Sequence, residues 1–576
     1  MHLKQKIVLL LVSLLPLIIH GQDKDFPKNY FTSPVDFKMA LSGTFGELRT
    51  NHLHSGIDIK TYGATGKPLK AVADGFVSRV AVSPGGFGNA IYVEHPNGYT
   101  SVYAHCKTFD PEIADWVKKE QYRLEDFQVN LFPKKEQFKF KQGDIIAFSG
   151  NSGGSMGPHL HFEIRKTNHQ TPVNPLLFNF DIKDFVRPTI SGLKIFPANK
   201  YSFINGINKV TKLPLAGWGS EYHLKSGDTI NLSGYFYFGI STFDKLNDAN
   251  NQNGVYAIDF FIDTNLVYSH KMDQFDFSES RYVNSLIDYG GFVNEKARYQ
   301  KTYIEPNNKL LIYQAIDGNG IFSFIDDEYH NLKYVVKDAG GNESILKLVV
   351  KSTPPQFKDV VAKKENETGK NIFTWREDNY FETSDFRLHV PKEALYDTMK
   401  FEYQVSDEIK TGFYAPVHKV HKPEKPLQGW CEISIKSNSF PERLKDKALI
   451  VGISENLIPA GGKWNGDFLT TKIRDFGEYS IGVDTVSPEI KPLNISDGKN
   501  ISKQNSIKIK IGDDLSGIAN YRATLNGEWL LMEWDPKNDL LVYWMDDRMK
   551  SGKNDFQLKV SDAVGNEANY EAILVR

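Results

Sequence analysis

The sequence predicts a mainly β chain of several domains: an antiparallel β domain near the N-terminus with a helical insertion, then β-sandwich domains in tandem. Three observations carry this reading. At ~150 residues per domain, 576 residues are too many for one core. Aromatics make up 13%, with 38 Phe, 27 Tyr and 45 Gly, which are strand and turn formers rather than helix formers. Short runs alternating apolar and polar residues recur between turn residues along most of the chain.

Composition also removes whole classes of function. Hydrophobic residues at 40% and charged residues at 24% describe ordinary globular protein, too apolar for long disorder. A formal net charge of −2 and no basic stripe argue against a nucleic-acid partner. The 2 cysteines, Cys106 and Cys431, cannot build a disulfide framework and are expected in different domains.

Residues 1–22 join Lys4 and Lys6 to an apolar run from Ile7 to Ile19 and return to polar character at His20-Gly21-Gln22. This is the pattern of a secretory signal peptide, cut near Gly21. The run is shorter than the ~20 residues of a membrane span, and no later run reaches that length. The expectation is an exported chain with no transmembrane span after cleavage; an uncleaved anchor is the alternative.

Residues 22–186 form the first domain, with a core over 42–165. PLKAVADGFVSRVAV reads as a hairpin around Asp74-Gly75, and NAIYVEHPNGYTSVYAH as one around Asn97-Gly98. QGDIIAFSG and HLHFEIR add short strands. Between them, 110–128 has helix composition with an apolar face of Ile113, Trp116, Val117 and Tyr122, read as a helical insertion within 107–139.

Past residue 187, Arg187-Pro188, Thr353-Pro354-Pro355 and Ser487-Pro488 precede β-type runs and mark boundaries. They divide the rest into β-sandwich domains at 187–352, 353–486 and 487–576. YVVKDAGGNES at 334–344 and LKVSDAVGNEA at 558–568 repeat a strand, an Asp-Ala-x-Gly-Asn turn and a returning strand, and 451–462 reads as a degenerate third copy. This spacing suits Ig-like sandwiches. The Asp and Asn residues are read as turn formers, since the six to eight oxygens of a calcium site cannot be assembled from sequence.

The chemistry concentrates between 52 and 161. Six of the 15 histidines lie there: His52, His54, His95, His105, His159 and His161. His54-Ser55-Gly56-Ile57-Asp58 places an imidazole and a carboxylate four apart, and His159-Leu160-His161 places two imidazoles two apart; on strands each pair shares a face. Either pair alone would be polar surface on a strand. Together in a Gly-rich frame they suit Zn²⁺, which takes His nitrogen and carboxylate oxygen and, when catalytic, keeps a fourth position open. His52 shares the parity of His54, so alternation does not choose between them.

SGTFGELR, HSGIDI, AVADGFV, GFGNAIYVEH, YAH and KQGDIIAFSGNSGGSMGPHLHFEIR together resemble the lysostaphin-type, or LytM-type, zinc metalloendopeptidases over Ser42 to Arg165. The resemblance implies a small antiparallel β domain with a groove, the duplicated hybrid motif fold. It implies one Zn²⁺ per chain on His54, Asp58 and His161, and active-site roles for His105 and His159. It picks His54 over His52 through the H-x-G-x-D frame. It also implies peptidoglycan cross-link peptides as substrate. All five positions are filled, unlike in degenerate relatives that only activate other hydrolases. Location is expected in the periplasm or envelope of a Gram-negative bacterium, or outside the cell. The rival reading is a latent scaffold or regulator whose tail binds an envelope protein or glycan. Two departures stand out. Cys106 follows His105 and is read as packed, and the 107–139 insertion is read either as a segment that walls or covers the groove or as a decoration with only a stability role.

Overall fold

The structure, a computed structural model, describes residues 26–227, 229–354 and 371–576; the expected signal peptide lies outside them. Among the described residues no helix is long and apolar enough to cross a membrane. The chain is mainly β throughout.

The first domain is built on an antiparallel sheet. Its strands are β1 (Leu41–Gly43), β2 (Ile57–Lys60), β3 (Gly75–Val82), β4 (Ala90–Glu94), β5 (Tyr99–Ala104), β6 (Val129–Leu131) and β7 (His159–Lys166), in the order β1-β2-β7-β5-β4-β3-β6. Leu160, Phe162 and Ile164 of β7 enter the main core with Val77, Ile91 and Tyr103. Alternation sends His161, Glu163 and Arg165 to the other face, where they are also buried. A buried polar stripe on a central strand must be paired, and it leads directly to the site.

The hairpin at Asn97-Gly98 forms between β4 and β5, with Gly98 in the left-handed region at φ 82°. The one expected at Asp74-Gly75 does not. Pro68–Lys70 belongs to a separate three-stranded sheet with Ile145–Phe148 and Thr108–Phe109, while Gly75 opens β3. Asp74 is held from outside, accepting from the Gln142 backbone N–H at 2.9 Å and Lys141 Nζ at 2.8 Å, so the corner passes between sheets instead of folding back.

The insertion contains helix α1 (Pro111–Leu124), N-capped by Asp110 with Pro111 in the first turn. Its apolar face drops Ile113 and Val117 into the first domain's own core. Its polar side meets the last domain. Lys118 pairs with Asp546 at 2.7 Å and Glu125 with Arg522 at 2.6 Å, and Tyr122 sits between Trp529 and Arg548. The helix thus lines a cleft between the first domain and the last. Cys106 is fully buried in the core, where burial pushes its thiol up to about 12, and Cys431 is buried in another core; both are free thiols.

Residues 189–352 do not form two separate sheets. Their strands join in one 13-stranded network because the 14-residue strand Ile230–Phe243 pairs with Glu343–Ser352 at its start and with Thr189–Pro197 at its end. Residues 371–484 fold as two five-stranded sheets on a shared core with a small two-stranded sheet of Ile372–Phe373 and Met399–Lys400, and 489–576 as two four-stranded sheets. Phe45 and Leu53 of the first domain, Val283 and Leu286 of the second, and Tyr396 of the third share one further apolar cluster, so the units are packed together.

The repeated turn is a lock. Asp338 accepts from the Asn342 backbone N–H at 2.8 Å, and Asn342 Nδ2 donates to Asp338 at 2.8 Å and to the Asp184 carbonyl at 3.2 Å. In the second copy Asn566 Nδ2 donates to Asp562 at 2.7 Å and to the Asp484 carbonyl at 3.1 Å. Each Asn therefore ties its turn to the segment that leads into its own unit. The third copy, at 451–462, is a plain hairpin without this lock.

Candidate metal centre

His54 does not lie on a strand. It opens the short loop 54–56 after the strand His52–Leu53, and Gly56 lets that loop run against β7; a Cβ there would stand 2.4 Å from the Phe162 carbonyl. Asp58 is on β2, directly opposite His161 on β7 in the antiparallel register. His159 and His161 share one face of β7 as their spacing predicts, whereas His54 and Asp58 meet through a loop and cross-strand pairing, not on one strand face. His54 Nε2, Asp58 Oδ1 and His161 Nδ1 converge, with separations of 3.1, 3.0 and 2.9 Å.

Each of these groups is oriented from behind. His54 Nδ1 lies 2.8 Å from the Thr44 carbonyl, which only accepts, so Nδ1 carries the proton and Nε2 presents a lone pair. His161 Nε2 lies 2.9 Å from Glu163 Oε1, which leaves Nδ1 facing Asp58. Arg49 donates to Asp58 Oδ2 at 2.6 Å, leaving Oδ1 for the site. Glu163 is itself held by Ser55 and by Arg165 Nε at 2.5 Å. Partners of this kind set tautomer and direction in metal sites.

His105 and His159 complete the ring of imidazoles, 4.8 Å apart between centroids. His105 follows β5 with φ at 59°, an unusual backbone for a residue with a side chain, and donates through Nδ1 to the Ser152 carbonyl at 2.9 Å. His159 Nδ1 donates to the Gly157 carbonyl at 2.8 Å, and its Nε2 stands 3.5 Å from Asp58 Oδ1. His52 is exposed and His95 is bonded to Asp74 and Ser101; neither reaches the site. The positioning residues Thr44, Arg49, Ser55, Ser152, Glu163 and Arg165 are invisible to a search for ligand types alone. Their only trace in sequence is that they lie within or beside the motif segments.

Electrostatics agree with a centre that wants a cation. Burial pushes His54 down to about 4. Burial, then the charges of His161 and His159, take His105 down to about 3. Burial works against a carboxylate at Asp58, yet His54 and the hydrogen bonds of His159 and His161 hold it well below the usual range. Burial also opposes charge on His161, but hydrogen bonds to Asp58 and Glu163 raise it to about 9, so a proton can occupy the place between His161 and Asp58. Three acceptor atoms within about 3 Å repel one another unless a cation sits among them. Zinc bonds of ~2.0–2.1 Å at tetrahedral angles separate ligand atoms by roughly 3.3 Å, close to the spacing seen, so the donor set fits zinc.

The sequence of this region matches the family model described as peptidase family M23 over residues 52–122 and 128–175, which contain all five candidate side chains. The chain carries an M23 peptidase domain. A Zu5-like domain model matches 370–484. The DD-carboxypeptidase/endopeptidase Mpg of Neisseria meningitidis is 36% identical over 130 residues, covering 22% of this chain and 23% of the relative. The peptidoglycan DD-endopeptidase ShyA of Vibrio cholerae is 28% identical over 159 residues, 27% of this chain and 30% of that one. The chain thus spans less than a third of the length of these relatives. Among solved structures, the catalytic domain of the M23 protein EnpA from Enterococcus faecalis shows 25% identity, covering 25% of this chain and 95% of that one, with a TM-score of 0.19. The M23 match lies wholly within the first domain.

A second convergence of metal-ligand types occurs away from the M23 centre. Asp184, Asp244 and Asp338 bring carboxylate oxygens within 4.8 Å of one another. Here no base or amide stands behind Asp244 Oδ1, which is buried without a partner. Burial, then the charges of Asp184 and Asp338, push Asp244 up to about 8, and burial followed by Asp338 pushes Asp184 up to about 6.

Proposed function

We propose that this chain is an exported zinc metalloendopeptidase that hydrolyses peptide cross-links of peptidoglycan. The observation that carries it is the meeting of three lone pairs, on His54 Nε2, Asp58 Oδ1 and His161 Nδ1, each aimed by an outside partner. These three residues would hold the metal. Zinc there would supply Lewis-acid polarisation of a peptide carbonyl and a lowered pKa for water. The chain's own groups do the rest. His105 is neutral near pH 7, with its Nδ1 proton donated to the Ser152 carbonyl, so its Nε2 presents a lone pair that can accept a hydrogen bond from the attacking water. His159, anchored through Nδ1, turns Nε2 towards Asp58 at 3.5 Å; when it carries a second proton as an imidazolium, Nε2 donates to a developing oxyanion or to the leaving amine. The name of the Vibrio cholerae relative, a peptidoglycan DD-endopeptidase, supports peptidoglycan as the substrate.

The test is incubation of the exported chain with purified peptidoglycan and mass analysis of the fragments. New amino termini in the peptide cross-links are expected, absent after chelation and restored by zinc. Intact cross-links with fully zinc-loaded protein would overturn the reading in favour of a latent scaffold.

A further inference from the structure

The last sandwich does more than follow the M23 domain in sequence. Besides its contacts with α1, Lys537 donates to the carbonyls of Asn151 and, at 3.3 Å, Gly153. These flank Ser152, whose carbonyl holds His105. Between the contacts on α1 and on this loop lies a cavity of about 440 Å³, within the ~300–1,000 Å³ of small-molecule sites.

The wall on the sandwich side is set by strand alternation. Glu533–Asp535 pairs with Leu540–Trp544 in a register that opposes Glu533 to Val542 and Asp535 to Leu540. Glu533, Asp535 and Trp544 therefore share one face, and all three line the cavity. Leu541 points the other way into the sandwich core, where Tyr543 is also buried while still touching the cavity. Trp544 is 49% exposed, and its Nε1 donates to Glu533 Oε2 at 3.0 Å, which fixes the plane of the open indole. The opposite wall offers Asn89, Lys107 and Asn151. Asn151 Oδ1 is buried and has no partner.

A fixed, half-open indole ringed by carboxylates, amides and an ammonium is the chemistry that receives a pyranose. The apolar ring face stacks, while hydroxyl and acetamido groups meet the polar rim. We propose that this cleft is a glycan subsite, which binds a short run of N-acetylhexosamine units of the strand whose peptide enters the histidine centre. The inference rests on the peptidoglycan reading above. It makes the last sandwich a wall of the substrate site.

The probe is the β-1,4-linked tetramer of N-acetylglucosamine, titrated calorimetrically into the zinc-loaded full chain. Millimolar binding is expected, weakened about tenfold by Trp544→Ala and largely kept by Trp544→Phe, in line with the loss of one stacking contact. With cross-linked polymer, Trp544→Ala should raise KM with little change in kcat, and leave cleavage of isolated cross-linked peptides unaltered. No tetramer binding by the wild type, equal binding by Trp544→Ala, or equal loss on polymer and isolated peptide would overturn the subsite. Binding is read without turnover, so a chain that binds the tetramer but cuts nothing would instead refute the proposed peptidase activity.

Discussion

Among the described residues three places gather metal-ligand side chains with ligand atoms within 4.8 Å of one another, and two of them differ instructively in what stands behind those side chains. At His54, Asp58 and His161 every group is turned by a partner outside the cluster: the Thr44 carbonyl, Arg49 and Glu163. At Asp184, Asp244 and Asp338 only part of the set is framed: Asn342 ties Asp338, but Asp244 Oδ1 is buried without a partner, and burial, then the neighbouring carboxylates, raise Asp244. Proximity is shared; orientation is not. A set of lone pairs held in place against its own repulsion is poised for a cation. A set free to share protons can relieve its repulsion by titrating.

The comparison breaks most visibly at the ligands. His54→Ala, Asp58→Ala or His161→Ala should empty the centre and remove activity beyond detection. His105→Ala and His159→Ala should keep zinc and lose activity by about 10²-fold or more. Metal analysis beside cleavage rates decides, and full zinc in all three ligand variants would dissolve the distinction. A smaller effect tests the frame itself. Glu163→Gln keeps a partner for His161 but weakens it and leaves Arg165 without its carboxylate, so zinc affinity should fall about 10–100-fold in competition with a chelator. Unchanged affinity would mean that orientation from behind is irrelevant.

The smallest effect probes the acidic cluster. Asp244 is raised from 3.8 to about 8 in the folded chain, so folding favours its protonated form. Its contribution to stability is full below about pH 4 and is lost as pH rises from there through about 8. Asp244→Asn does not titrate. It should therefore raise the melting temperature of the unit that contains it by roughly 4 °C or more at pH 8, and change it little at pH 4. Destabilisation at pH 8 would show that the carboxylate is needed charged there, as at a cation site, and the contrast between the two clusters would fail.

The five side chains of the centre were legible because their types and frames are local: H-x-G-x-D, Y-A-H and H-x-H. How they meet was not. Sequence alternation suggested that His54 and Asp58 share a strand face, but a loop and the register of β2 on β7 bring them together. The Asp74-Gly75 hairpin failed for the same reason, since Lys141 and Gln142 hold that corner from a distant segment. The mainly β character of the tail followed from its alternation, whereas the single 13-stranded network of 189–352 depends on one long strand serving two sets of partners, which no local pattern records. The contacts of the last sandwich with α1 and with the 150–153 loop join residues nearly 400 positions apart and leave no mark in either segment.

That separation also sets an order in time. Apart from Leu246, the M23 domain draws its main core from residues 31–180, so most of that core can form before the last sandwich is made. Arg522, 397 residues beyond Glu125, arrives about 20–80 s later at ~5–20 residues per second. Closing so long a loop adds little free energy beyond closing one half its length, because the cost grows only with the logarithm of length. The delay is therefore one of delivery rather than of stability. A newly made chain has its histidine centre assembled before the tryptophan-bearing wall beside it exists, and a chain cut short before residue 522 would keep the first without the second.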